Sequence, residues 1–75
     1  QPMCYLLAKR MNQSGCIALQ TVPGKELAQF AHDIQEKLGY DIEIITISRP
    51  TAYGEYEPYH FVHSYAEFSE QAALL

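Results

Sequence analysis

The sequence predicts an α+β fold: a two-layer ββαββα sandwich, with a mainly antiparallel four-stranded sheet and two helices on one face. Three observations predict it. Four short runs have the β-branched and aromatic make-up of strands. Two others space their apolar residues by three and four, as amphipathic helices do. Breaks rich in Gly, Pro or Asn separate the runs at short intervals. At 75 residues the chain has room for one domain, residues 1–75. Gln1 and Pro2 read as additions ahead of a natural start at Met3.

Residues 3–9 form the first predicted strand. Cys4, Leu6 and Ala8 lie on one face, and Met3, Tyr5 and Leu7 on the other. Asn12-Gln13-Ser14-Gly15 is a turn, and residues 16–21 return as the second strand. Pro23 and Gly24 end that strand. Leu27, Phe30, Ala31, Ile34 and Leu38 then make one helical stripe, which sets a helix over 24–38. Gly39 stops it, since glycine takes the left-handed C′ conformation without a Cβ clash. Residues 41–48 are a third strand, with isoleucines on both faces. Residues 49–58 contain Pro50, Gly54 and Pro58 and read as a loop, and 59–63 as a short fourth strand. Ser64 with Glu67 is a capping-box signature. Tyr65, Phe68, Ala72 and Leu75 form the stripe of a second helix.

The simplest sheet order is 2-1-3-4, with strands 1 and 3 central. Two helices cover one face of such a sheet, yet Tyr5, Leu7 and several isoleucines occupy the other. An uncovered apolar face marks an interface, which predicts a homodimer. Wrapping of that face by loop 49–58 is the alternative.

Apolar residues are 48% of the chain and charged residues 19%, a globular composition that excludes a disordered tail or a coiled coil. The net charge of −4 conceals a split: residues 1–25 carry +3, and residues 26–75, with all nine acids, carry −7. This balance argues against direct nucleic-acid binding, which rests on neutralising phosphates. No stretch approaches the ~18 apolar residues of a membrane span.

Two cysteines allow one bridge. If Arg10 and Gly15 close the first hairpin, Cys4 falls opposite Thr21 and Cys16 opposite Lys9. The two are then about five residues apart along the ribbon, roughly 17 Å. A disulfide needs Cα atoms within about 7 Å. Free thiols fit a reducing compartment, and the chain reads as cytoplasmic.

Residues 49–65 hold four of the six tyrosines and two of the three histidines. Tyrosine offers a flat apolar body with a polar tip, which suits recognition. Pro50 and Pro58 limit the loop's freedom and so the entropy lost on binding. The candidate binding residues are Arg49, Tyr53, Glu55, Tyr56, Tyr59 and His60. Tyrosines that simply cover the sheet are the competing reading. No catalytic set is assigned, and no cofactor. On a strand His60 and His63 point to opposite faces, which speaks against shared metal ligation. Cys4 and Cys16 lie in β-patterned runs, where cysteine behaves as a small hydrophobe.

Residues 3–9, 15–19, 24–27 and above all 45–59 (Ile-Thr-Ile-Ser-Arg-Pro-Thr-Ala-Tyr-Gly-Glu-Tyr-Glu-Pro-Tyr) carry a resemblance. The chain resembles a family of small, uncharacterised bacterial proteins of about this length, a domain of unknown function. The resemblance implies one domain and brings no activity. Three functional readings stand. The first is a binding or regulatory module that contacts a protein or small ligand through loop 49–59. The second is a small enzyme drawing acid–base groups from Glu55, Glu57, His60 and the tyrosines. The third is an acidic decoy that blocks a nucleic-acid-binding protein.

Overall fold

The first hairpin closes in the register its turn dictates. Strand β1 (Cys4–Arg10) and β2 (Cys16–Thr21) pair antiparallel, with Cys4 opposite Thr21 and Leu6 opposite Leu19. In the turn Asn12 takes a positive φ of 71°, and Gln13 N–H donates to the Arg10 carbonyl at 3.2 Å. The structure, a computed structural model, describes residues 2–49 and 54–75. Its remaining elements are α1 (Lys25–Leu38), β3 (Ile42–Ile47), a 3-10 turn (Gly54–Tyr56), β4 (Tyr59–Val62) and α2 (Tyr65–Ala73). The class is the predicted α+β ββαββα arrangement, and each helix and strand lies within a residue or two of its expected span.

Helix α1 buries Leu27 and Ile34, with Phe30, Ala31 and Leu38 half-buried beside them. The whole predicted stripe therefore faces the sheet. Gly39 closes the helix at a φ of 85°, and its N–H donates to the Gln35 carbonyl at 2.9 Å. The Gln35 side-chain amide continues the seam, donating to the carbonyls of Gly39 (2.7 Å) and Ile42 (2.8 Å). Helix end and β3 start are thus stitched together.

Helix α2 starts at the predicted Ser64 cap, with the return bond from Glu67 falling one residue earlier than in a capping box, on His63. Ser64 Oγ accepts from Glu67 N–H at 3.0 Å, and Glu67 Oε1 accepts from His63 N–H at 3.2 Å. Ser64→Ala removes one of these bonds and is expected to cost about 1 kcal/mol. A urea titration that shows no shift in midpoint would mean the cap contributes nothing.

One core lies between the helices and the sheet. Leu6, Ala8, Ile17, Leu19 and Val62 meet Leu27, Ile34, Phe68 and Ala72 there. Phe68 is wholly buried, and Phe30 packs edge-on to it and to Tyr65, with ring centroids 5.8 and 4.6 Å apart. Tyr65 OH and Thr21 Oγ1 share a hydrogen bond of 2.6 Å. Arg10 Nε donates to the Leu75 main-chain oxygen at 2.6 Å, tying the hairpin to the end of the second helical segment.

The sheet order is β3-β1-β2-β4, not the expected 2-1-3-4. Strands β2, β1 and β3 are neighbours as predicted, both pairs antiparallel, so β1 is central. Strand β4 does not join β3. It lies on the far side of β2 and runs parallel to it, Cys16 opposite Tyr59. Strands β3 and β4 are therefore the two edges, and the sheet is mixed. The physical reason is the second face. A tight β3–β4 hairpin would leave Leu7, Ala18 and Ile47 open to water. A chain that crosses that face instead brings Tyr56 down onto them.

The crossing ends in a close approach at Gly15. Cys16 N–H donates to the Pro58 carbonyl at 3.0 Å. A Cβ on Gly15 would stand 3.3 Å from that same oxygen, and Gly15 itself sits at a φ of 87°. Glycine suits both requirements, lacking a Cβ and tolerating positive φ.

Candidate functional site

Alternation along the strands decides what the second face carries. Tyr5 and Leu7 from β1, Cys16 and Ala18 from β2, Ile45 and Ile47 from β3, and Tyr59 and Phe61 from β4 all project there. The face has two parts. Over the centre, Leu7, Cys16, Ala18 and Ile47 form a second buried cluster closed by Tyr56, which is only 1% exposed. Lys9 Nζ stands 5.9 Å from the centroid of the Tyr56 ring and adds a cation–π contact at the lid's margin. Towards the β4 edge the cover stops. Phe61 is 49% exposed, with its ring 6.2 Å from that of Tyr5 and 6.0 Å from that of Tyr59. Ala18, opposite Phe61, is small enough to let Tyr5 and Phe61 lean together. The result is a shallow aromatic patch, half in water.

The sequence-predicted site residues divide sharply. Arg49 is exposed, just after β3. Tyr53 lies outside the described residues. Glu55 is exposed on the 3-10 turn. Tyr56 points inward and serves as core, so its ring presents no surface for contact. Tyr59 is half-buried in the aromatic patch. Burial raises its phenol above the ordinary value, and Cys16 and Glu57 push it the same way. His60 is exposed and alternates to the face opposite Tyr59 and Phe61. His60 thus does not share a face of the sheet with the aromatic rings, and Arg49 follows the edge strand opposite the one that carries Tyr59 and Phe61.

Two patch residues, Tyr5 and Phe61, were not among the candidates. A signal for Phe61 was present: strand alternation puts it beside Tyr59. Its proximity to Tyr5 depends on β4 lying next to β2, which no local pattern reveals.

The cysteines are free, and they lie in different cores: Cys4 under the helices and Cys16 beneath the Tyr56 lid. Burial raises the pKa of Cys4. Cys16 is pushed up to about 11 by burial, against a weaker pull from Lys9. Neither is a ready nucleophile at neutral pH. The sign for stability follows. Unfolded, Cys16 ionises near 9.0; folded, near 11. Between those values the folded state holds a proton that the unfolded state has lost, so stability falls as pH rises from about 9 to about 11. Cys16→Ala is expected to flatten this part of the profile. Urea midpoints for both proteins across the window check it, and parallel profiles would refute it.

On the helical side, a cleft of about 200 Å³ is lined by Phe30, Asp33, Ile34, Lys37 and Ser69. None of Glu55, Glu57 and His60 lines it. His32 is exposed on α1 and lies 3.4 Å from Glu36 one turn on. Among the described residues, no three of His, Cys, Asp and Glu gather as a metal site would require. No described helix is long and apolar enough to cross a membrane.

Comparison with known sequences places these features in a wider set. The model of a family of unknown function matches residues 3–75, which include every element described above. No curated protein matches the chain.

Proposed function

The chain belongs to the DUF6718 family, a family of unknown function, and from its geometry we propose a small non-catalytic binding module that works as a homodimer and docks a protein partner. One observation carries the reading: the aromatic patch of Tyr5, Tyr59 and Phe61, with Phe61 about half exposed where the cover of the second face stops. Aromatic rings already packed against one another lose little freedom when a partner covers them. The patch is shallow, which fits a protein surface better than a small molecule. Exposed Glu57, near enough to Tyr59 to push its phenol up, puts an acid at the margin of the patch, so the complementary surface is apolar with a basic rim. The free thiols fit a reducing compartment such as the bacterial cytoplasm.

The enzyme reading finds less support. Glu55, Glu57 and His60 are each exposed, and the described cleft lies on the other side of the sheet from the aromatic patch. The decoy reading needs one acidic face. The acids instead spread over α1 (Glu26, Asp33, Glu36), the β3 region (Asp41, Glu43), the loop and α2.

The test is affinity capture with the wild type, a Tyr59→Ala/Phe61→Ala variant, and His32→Ala as a control on the far face. The reading expects proteins held by the wild type and the control to be lost from the double variant while its circular dichroism stays native. Retention of every captured protein by the folded double variant overturns it.

A further inference from the structure

The two sheet edges differ in what they offer. Met11 N–H donates to the Asp41 carbonyl at 2.9 Å, which marks Met11 and Asp41 as a hydrogen-bonded antiparallel pair. Such pairs recur every second residue. Glu43, Ile45 and Ile47 therefore bond inward to β1, and Ile42, Ile44 and Thr46 present their main-chain groups outward. The Ile42 carbonyl is taken up by Gln35. Among the described residues, no strand pairs with the outer side of Ile44 and Thr46.

Edge strands are normally blunted by shortness, lysine, proline or a covering element. Strand β4 is blunted by shortness: it has four residues and runs almost at once into the Ser64 cap. Strand β3 has six residues, with no lysine and no proline. Its charges are also polarised. Asp41 and Glu43 lie at its start and exposed Arg49 just past its end.

That polarity selects the occupant. A parallel partner strand of the same sequence would set acid beside acid. An antiparallel one sets the acidic start of each copy against the basic end of the other. We propose that two copies of this chain join β3 to β3 antiparallel across a two-fold axis, forming one continuous eight-stranded sheet. With Ile45 on the axis, the outward pair Ile44 and Thr46 exchange both main-chain bonds, once on each side. Glu43 falls opposite Ile47 of the second copy. Arg49, just past the bend at Ser48, falls at the same end of the joint as Asp41 and Glu43 of the second copy, so opposite charges come together there. The contact is isologous and closes at two copies, whereas β3 on β4 would run on as a filament. It also lengthens the apolar second face through Ile45 and leaves the aromatic patch at the opposite edge free.

This proposal rests on the dimeric part of the functional reading, and its test separates the two. Sedimentation equilibrium of the full chain is expected to give about twice 8.5 kDa. Thr46→Pro deletes an outward N–H that the β1 ladder does not use, a position where edge strands tolerate proline. It is expected to weaken association at least about 100-fold with native circular dichroism. Arg49→Asp, a surface change that preserves the ladder, is expected to weaken it about tenfold. Asp41→Arg combined with Arg49→Asp is expected to restore it. A wild type that stays monomeric at high concentration overturns both the dimer and its geometry. A dimer that withstands Thr46→Pro and is split by Phe61→Arg keeps the dimer and overturns the β3 contact. Equal weakening in Arg49→Asp and the charge-swapped double variant also overturns the register.

Discussion

Tyr56→Ala is expected to abolish the folded state at room temperature, or to leave it only marginally populated. Tyr56 is 1% exposed and, among the described residues, is the one fully buried aromatic over Leu7, Cys16, Ala18 and Ile47. Truncating a buried aromatic costs about 3–5 kcal/mol, part transfer and part cavity. The core of a domain this small rarely supplies more than about 3–5 kcal/mol in total. The loss is as large as the whole margin, because neither α1 nor α2 packs on this face to settle into the gap. The Lys9 contact to the ring is a smaller matter, about 0.5–1 kcal/mol at a partly exposed site. Tyr56→Phe keeps the ring and is expected to stay folded. Thermal melts at low protein concentration, where association adds nothing to apparent stability, give the comparison. Alkylation of Cys16 supplies a local readout, since the lid shields its sulfur. A Tyr56→Ala protein that melts within a few degrees of wild type, with Cys16 still protected, would show that the loop does not hold the second face.

The second large effect is expected at Phe68. It is fully buried between α2 and the sheet, and Phe30 from α1 rests edge-on against it. Phe68→Ala is expected to cost about 3–5 kcal/mol. An edge-to-face pair adds about 0.5–1.5 kcal/mol beyond area, so loss of the Phe30 contact places the effect in the upper part of that range. What would still hold α2 is Ala72, the Tyr65–Thr21 hydrogen bond and the Arg10 contact to Leu75. Phe68→Leu retains most of the apolar volume and is expected to cost about 1–2 kcal/mol. Urea unfolding measures Phe68→Leu, and for Phe68→Ala, whose cost matches the whole margin, a largely unfolded circular dichroism spectrum is the expected result. A cost below about 1 kcal/mol for Phe68→Ala would mean that α2 does not depend on this anchor. The conservative changes Tyr56→Phe and Phe68→Leu probe opposite faces of one sheet, so their effects should be nearly additive in the double variant.

Much of this was legible in the residues. The stripe Leu27, Phe30, Ala31, Ile34 and Leu38 turned towards the sheet as its spacing requires, and Gly39 ended the helix at a positive φ, though with an extended ψ of 177° in place of the expected left-handed turn. The turn at 12–15 set the register of the hairpin, and that register kept Cys4 and Cys16 apart as free thiols. Ser64 and Glu67 opened α2. Each of these rests on contacts within one element or across one tight turn, where spacing translates directly into geometry.

The candidate site was less legible. Tyr56 and Tyr59 are the same residue type, three positions apart in one loop and strand, yet one is core and the other forms part of an exposed patch. Loop residues have no fixed period, so nothing local assigns a face to Tyr56. His60 shared a segment with the tyrosines in sequence but not a face of the sheet.

By itself, then, the chain determined six elements, their order, their inward faces and the pairing of β1 with β2 and β3. Only the tertiary structure decided where β4 goes. Period-two alternation marks residues 59–62 as a strand but is indifferent to which neighbour supplies the hydrogen bonds. The choice fell to long-range packing: a chain that crosses the second face seals Leu7, Ala18 and Ile47 under Tyr56, and β4 must then land beside β2. That landing made β3 an open edge and brought Phe61 beside Tyr5, the two features on which the proposed contacts rest.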